Sequence, residues 1–235
     1  VHGLDGSTGR RIPPLVMGHE AAGIVEATGE GVSDWRPGDR VTFDSTLYCG
    51  RCRFCREGRI NLCDDRRVLG VSCAEYRRNG AFAEYVAVPE RILYRLPDGL
   101  SFERAALVEP LSIARHAIRR AAPRKGDAAA VIGAGMIGLL AVQVLKSLGC
   151  RPIIAIDVDP RKLDLARRLG AEVSIRSDRQ DAPACVRDAT AGAGADIVIE
   201  AVGLDATVRA AVSCARKGGA ISIIGNLAKE VALPL

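Results

Sequence analysis

Four cysteines crowd one short stretch of the chain, Cys49-x2-Cys52-x2-Cys55-x7-Cys63. Thiolates at this spacing suit one tetrahedral zinc ion with Zn–S of about 2.3 Å. Gly50 and Gly58 supply the tight turns between them. An iron–sulfur cluster competes, because Cys-x2-Cys-x2-Cys also opens some ferredoxin runs. The fourth spacing and the basic, polar surroundings favour zinc. With all four positions filled, such a site holds its lobe together and does no chemistry. A second donor set is more dispersed: His19 and Glu20 in Gly18-His19-Glu20, and Glu109 in Val108-Glu109-Pro110-Leu111-Ser112. A His beside a Glu is ordinary at a strand end. Joined by Glu109, the pair would make an open site in which zinc acts as a Lewis acid.

A third stretch points to a nucleotide. Val131-Ile132-Gly133-Ala134-Gly135-Met136-Ile137-Gly138 carries the G-x-G-x-x-G spacing between an apolar run and a helical pattern. Gly133 would make the tight turn, Gly135 would let backbone approach a pyrophosphate, and Gly138 would let the helix lie close to the strand. Met136 and Ile137 open that helix, whose free N–H groups and positive dipole end favour phosphate. The next apolar run, Ile153 to Ile156, ends in Asp157, where the ribose-binding carboxylate of a dinucleotide fold is expected. Asp157 would repel a 2′-phosphate and so prefers NAD, while Arg161 nearby would favour NADP. Val202, in Ala201-Val202-Gly203 after a strand ending at Glu200, is expected to pass near the cofactor.

These groups need two kinds of scaffold. Residues 1 to about 115 read as β-rich, with strands at Gly23–Glu26, Arg40–Phe43 and Ala83–Val88 between Gly, Pro and Asp turns. Ser101 is placed as an N-cap with Glu103 in the first turn, opening a helix that runs to about Arg120. His116 on this helix is expected to pack or hydrogen-bond. From Asp127 onward strands at 128–132, 152–157, 172–176, 195–200 and 219–225 alternate with helices, one of them started by Asp159-Pro160. Apolar strands alternating with helices imply a parallel sheet covered on both faces.

Composition excludes several classes. The 48% hydrophobic and 26% charged content is that of a globular protein. A net charge of +5 is modest and spread out, and Arg66-Arg67 and Arg119-Arg120 read as solvated faces, so no nucleic-acid partner is expected. No apolar run is long enough to span a bilayer, and no secretory signal is visible, so a cytoplasmic location is expected. Cys73, Cys150, Cys185 and Cys214 are scattered and read as small apolar residues. The chain starts at Val1 and stops at Leu235 as another apolar stretch begins, so both ends read as cut.

Taken in order, Gly18-His19-Glu20, the four-cysteine lobe, Pro37-Gly38-Asp39-Arg40-Val41, Gly80-Ala81-Phe82-Ala83-Glu84-Tyr85, Glu109-Pro110-Leu111-Ser112 and the Gly133 fingerprint resemble the zinc-containing medium-chain dehydrogenases, in the sorbitol (L-iditol)/threonine dehydrogenase branch. The resemblance covers essentially the whole chain. It implies an α/β architecture: a GroES-like β-rich catalytic domain (1–115) joined to a Rossmann doubly wound parallel sheet (116–235) that is incomplete at its C-terminus. The active site would lie in the cleft between them. It implies that His19 binds catalytic zinc, that Glu20 is a ligand or near-ligand, and that Glu109 closes the site directly or through water. The alcohol dehydrogenases proper carry a cysteine where Glu109 stands. The family's first zinc ligand, a cysteine in a Cys-Gly-Ser/Thr-Asp run, and the hydroxyl of its proton relay would precede Val1, and His2 resembles a histidine that follows that run. The implied activity is NAD-dependent oxidation of a secondary hydroxyl of a polyol such as sorbitol, iditol or galactitol, by a homotetramer or dimer. L-Threonine 3-dehydrogenase, acting on an amino alcohol, shares nearly all these motifs. A non-catalytic NAD-binding structural protein is the reading from another class.

Overall fold

The computed structural model describes residues 14–71 and 77–233. It separates into two compact units, Val1–Glu109 and Pro110–Leu235.

The first unit is built on two small sheets. Strands β1 (Ala22–Ile24), β2 (Arg40–Phe43) and β6 (Leu93–Arg95) form an antiparallel sheet with β2 in the middle. Val41 faces Gly23 on one side and Arg95 on the other. Strands β3 (Thr46–Leu47), β4 (Arg67–Leu69) and β5 (Arg77–Arg78) form the second sheet. Phe43, Leu47, Leu69 and Ile92 are the core, with Ala21, Tyr48, Ala81 and Val88 packed against it. The Pro37-Gly38-Asp39 turn enters β2 through Gly38 at φ +94°, a conformation that suits glycine. The nearly buried Asp39 braces that turn: it accepts from the Arg36 N–H at 3.0 Å and pairs with Arg95 at 2.6 Å. Arg95 in turn lies over the Trp35 ring.

Two expectations for this unit fail. Residues 83–88 form no strand. Backbone pairing in this stretch stops at Phe82, and no ladder partner follows among the described residues. Phe82 and Tyr85 are 76% and 73% exposed, so the apolar–polar alternation marks no buried face. The single helix expected from Ser101 to Arg120 is two helices, α2 (Phe102–Ala106) and α3 (Val108–Ala121), broken at Leu107. Pro110 explains the break: its ring would clash with the Ala106 carbonyl in a continuous helix, but it is tolerated in the first turn of a new one. Ser101 does cap α2, accepting from the Arg104 N–H at 3.4 Å.

The second unit is a five-stranded, wholly parallel sheet. The strands are β7 (Ala129–Ile132), β8 (Ile153–Asp157), β9 (Val173–Arg176), β10 (Ala195–Glu200) and β11 (Ala215–Ile223). Their spatial order is β11-β10-β7-β8-β9. Helices α4 (Met136–Ser147), α5 (Pro160–Leu169), α6 (Ala182–Ala189) and α7 (Asp205–Cys214) connect them. Alternate strand residues feed two cores. Val131, Ile153, Ile197 and Ile199 pack with Val142 and Leu145 of α4. Ala130, Ile132, Ile154, Ile156 and Val198 pack with Val186 of α6 and Ala211 of α7. Both faces are therefore dry, which is why the strands read as unbroken apolar runs. β11 starts earlier than expected, directly after α7, with Ala215 opposite Ala195. The order reverses at β7, whose two neighbours are β8 and β10, and open α/β sheets take their ligands beyond the carboxyl ends of the strands at such a switch point. No helix among the described residues is long and apolar enough to cross a membrane.

Candidate metal and dinucleotide sites

The four cysteines converge. Their sulfurs all lie within 4.8 Å of one another, with Cys63 buried and the others half-buried. Gly50 and Gly58, both at φ +74°, make the reversals on either side of the short helix α1 (Arg53–Arg56). Backbone N–H groups point at the sulfurs: those of Cys52 (3.3 Å) and Arg51 (3.5 Å) at Cys49 Sγ, and that of Cys49 (3.3 Å) at Cys63 Sγ. These donors stabilise thiolate and bring the Cys49 thiol down to about 6. Burial and the neighbouring sulfurs push Cys55 up to about 12. One thiolate forms readily, but four together need a cation in their midst. Sulfurs this close fit a single ion, whereas the irons of a cluster hold thiolates farther apart.

His19, Glu20 and Glu109 also meet, with ligand atoms within 4.8 Å of one another. His19 Nε2 lies 3.9 Å from Glu20 Oε1. A packed knot of glycines presents the histidine. Gly18 sits at φ +102°, and a Cβ there would approach the Phe82 nitrogen to 2.8 Å. A Cβ on Gly70 or Gly80 would run into the Gly18 carbonyl. The carbonyls of Val16, Met17 and Gly18 accept from the N–H groups of Gly80 (2.7 Å), Phe82 (2.8 Å) and Ala81 (2.9 Å). The Gly80-Ala81-Phe82 motif thus acts as the seat of the His19 turn. Glu109 stands in the first turn of α3, half-buried. Burial first, then the negative charges of Glu20 and Asp44, push its carboxyl up to about 7. One imidazole and two crowded carboxylates form the donor chemistry of an open divalent-metal site.

In the second unit each glycine of the fingerprint has its own reason. Gly133 turns at φ +93°, and a Cβ there would meet Val202 Cγ2 at 2.6 Å. A Cβ on Gly138 would collide with the Gly133 carbonyl oxygen. Among the described residues nothing lies within 4 Å of a Cβ on Gly135, so they leave its side of the turn as an open cradle. Gly135 is the N-cap of α4, Met136 is the exposed first residue of that helix, and Ile137 leans on the core. Asp157 ends β8 with its carboxylate set by two backbone donors, Ala134 N–H to Oδ2 (2.7 Å) and Asp159 N–H to Oδ1 (2.9 Å). Each oxygen keeps a lone pair for a further donor. The arrangement fits a dinucleotide, with free helix N–H groups beside a glycine cradle and a ribose acceptor at the next strand. Arg161 turns its guanidinium onto Asp159, at 3.3 Å and 3.2 Å.

Sequence reasoning stopped short at Glu200. Its side chain is fully buried at the end of β10. Oε1 accepts from the N–H groups of Val202 (2.9 Å) and Gly203 (2.8 Å), and Oε2 has no hydrogen-bond partner among the described residues. It fixes the turn that carries Val202 over Gly133. An acid closing an otherwise apolar strand was the signal. His116, expected to pack or bond, is exposed, because the buried stripe of α3 is Pro110, Ala114, Ala117 and Ile118 and His116 falls off it. Cys150 and Cys214 are buried and Cys185 is half-buried, as expected of small apolar residues. His2 and Cys73 lie outside the described residues.

Two family models match the chain: an alcohol dehydrogenase GroES-like domain over residues 1–98 and a zinc-binding dehydrogenase over residues 137–235. Sorbitol dehydrogenase of Bacillus subtilis is 36% identical over 94% of this chain and 62% of its own length. L-Threonine 3-dehydrogenase of Symbiobacterium thermophilum is 38% identical over 97% of this chain and 64% of its own. A solved structure from Sinorhizobium meliloti 1021, described as a zinc-binding dehydrogenase bound to NADP, superposes with a TM-score of 0.88 at 33% identity, covering 99% of this chain and 68% of that one. The chain thus spans a little under two thirds of the two curated relatives.

Proposed function

Because the chain belongs to the zinc-containing medium-chain dehydrogenases, in the branch of the sorbitol and threonine enzymes, we propose that its protein oxidises a secondary hydroxyl of a polyol with NAD as the acceptor. The first unit would hold catalytic zinc through His19, Glu20 and Glu109 and structural zinc through Cys49, Cys52, Cys55 and Cys63. The second would hold NAD through Gly133, Gly135, Met136, Ile137, Gly138, Asp157 and Val202, with Arg161 at the edge of the site and its guanidinium on Asp159. When bound, zinc would supply a Lewis acid for the substrate oxygen, and NAD the hydride acceptor.

The chain's own residues prepare for both. The gathering of His19, Glu20 and Glu109 carries the reading, because it brings two carboxylates to within 4.8 Å of a histidine. Burial first, then the charges of Glu20 and Asp44, raise the Glu109 carboxyl, and a cation bound among these groups would offset both costs. At the other site the Gly133 turn and the start of α4 offer N–H groups to phosphate, and Asp157 accepts from a ribose hydroxyl. Positioning and the exclusion of water are what such residues add. On this reading the protein is a homo-oligomer, dimer or tetramer, of the cytoplasm. It takes a small polyol or amino alcohol and binds neither nucleic acid nor membrane.

The test is NAD reduction by the full-length protein across polyols, sugar-alcohol phosphates and L-threonine, with and without a chelator. Chelator-sensitive turnover of a polyol is the expected result. Turnover of L-threonine alone would replace the substrate with that of the sister enzyme, a reading favoured by the 38% identical relative. Silence with all of them, despite bound zinc and NAD, would turn the protein into a non-catalytic NAD-binding one.

A further inference from the structure

Two guanidiniums at the rim of the parallel sheet beyond Asp157, those of Arg161 and Arg176, are already engaged. Arg161 is forked onto Asp159 through Nε and Nη2 at 3.3 and 3.2 Å. Arg176, the last residue of β9, is the ladder partner of Asp157 across β8 and β9, so the two lie on adjacent strands about 4.8 Å apart. It is forked more tightly onto Asp178, Nε to Oδ1 at 3.1 Å and Nη2 to Oδ2 at 2.7 Å. Arg179 reaches the same carboxylate at 3.8 Å. If Asp157 accepts from the adenosine ribose, a substituent on the 2′ oxygen projects toward this rim. A phosphate there needs a guanidinium fork. Of the two arginines only Arg176 stands beside Asp157 in the ladder, and its fork is occupied.

Resting on the dinucleotide reading above, we propose that Asp178 is a determinant of cofactor choice, acting by holding Arg176 away from a 2′-phosphate. The two restraining carboxylates differ. Asp159 is the N-cap of α5 and accepts from the Arg161 N–H at 2.9 Å, so the helix needs it. Asp178 lies in the turn after β9 and spends its carboxylate on side-chain guanidiniums, which hold it below the usual carboxylate range. It is therefore the position at which cofactor choice can change without disturbing an element. The NADP-bound Sinorhizobium structure shows that a chain of this architecture takes the phosphorylated cofactor.

The experiment is calorimetric titration of the full chain with NAD and with NADP at one fixed salt concentration. It compares wild type, Asp178→Ala, Asp178→Asn and the double variant Arg176→Ala/Asp178→Ala. Both single variants are expected to bind NADP about tenfold more tightly than wild type, with NAD affinity changed less than about threefold. The double variant should lose the gain. Unchanged NADP affinity in both single variants overturns the proposal. So does a gain that survives without Arg176, because simple removal of a negative charge would then suffice. A wild-type chain that binds neither dinucleotide overturns the dinucleotide reading itself, which the wild-type titration alone reveals.

Discussion

Glu109 is where the local physics is sharpest. Its folded-state carboxyl is raised from the ordinary 4.5 to about 7 by burial, then by Glu20 and Asp44. A raised acid keeps its proton in the fold after the unfolded chain has released it. Its contribution to stability is therefore complete below about pH 4.5 and lost as pH rises through about 7. Glu109→Gln cannot ionise and should lack that loss. In metal-free protein, the thermal midpoint of wild type should fall relative to Glu109→Gln between pH 5 and 8, read by the fluorescence of Trp35, the chain's single tryptophan. Added zinc should reverse the order above pH 7, because the ion binds the carboxylate. Midpoints that stay parallel across this range would show that Glu109 is not ionising inside the cluster. Types and order made His19, Glu20 and Glu109 legible in the sequence. What spacing alone withheld was Asp44, whose charge reaches Glu109 only through the fold, and the role of Glu200, whose two N–H partners depend on the turn that follows it.

The elements were legible in proportion to how much of their environment is local. Asp159 and Pro160 start α5 by their own chemistry, and the Asp159 side chain accepts from the Arg161 N–H as placed. The strands of the parallel sheet are buried on both faces and announce themselves as apolar runs. Residues 83–88 alternate like a half-buried strand, yet a strand also needs a partner, and that is a property of the fold. The seat of His19 is likewise non-local, because Gly70 and Gly80 are glycines on account of the distant Gly18 carbonyl. The Gly133 fingerprint gives a test at this scale, since its glycines answer to different neighbours. Gly138→Ala drives a Cβ into the Gly133 carbonyl and should cost about 2–3 kcal/mol of stability. Gly135→Ala meets nothing and should leave the thermal midpoint unchanged or slightly raised. Its Cβ would nevertheless fill the cradle and weaken NAD binding by more than about tenfold. Wild-type NAD affinity in Gly135→Ala would mean that the pyrophosphate does not sit there.

Across the whole molecule, two units rest on different physics. The second has two continuous apolar cores, one on each face of the sheet, and needs no ion to hold together. The first has a small core of Phe43, Leu47, Leu69 and Ile92, and its cysteine lobe adds a cluster of thiols that repel as they ionise. Its stability should therefore be tied to metal, because binding energy at a structural zinc site is folding energy. The two units also have separate reporters. Trp35 belongs to the first, and helices α4 to α7 give the second most of the far-ultraviolet dichroism. A strong chelator, or Cys52→Ser with Cys55→Ser, is expected to lower the Trp35 transition by more than about 10 °C. The helical signal at 222 nm should shift much less. Acidification should release the ion as the thiolates protonate, so the Trp35 transition should lose its dependence on the chelator at low pH. If both signals fell together on chelation, the metal would be supporting the second unit as well. If neither moved, the cysteine cluster would be held by packing alone, and zinc would have no structural part in this chain.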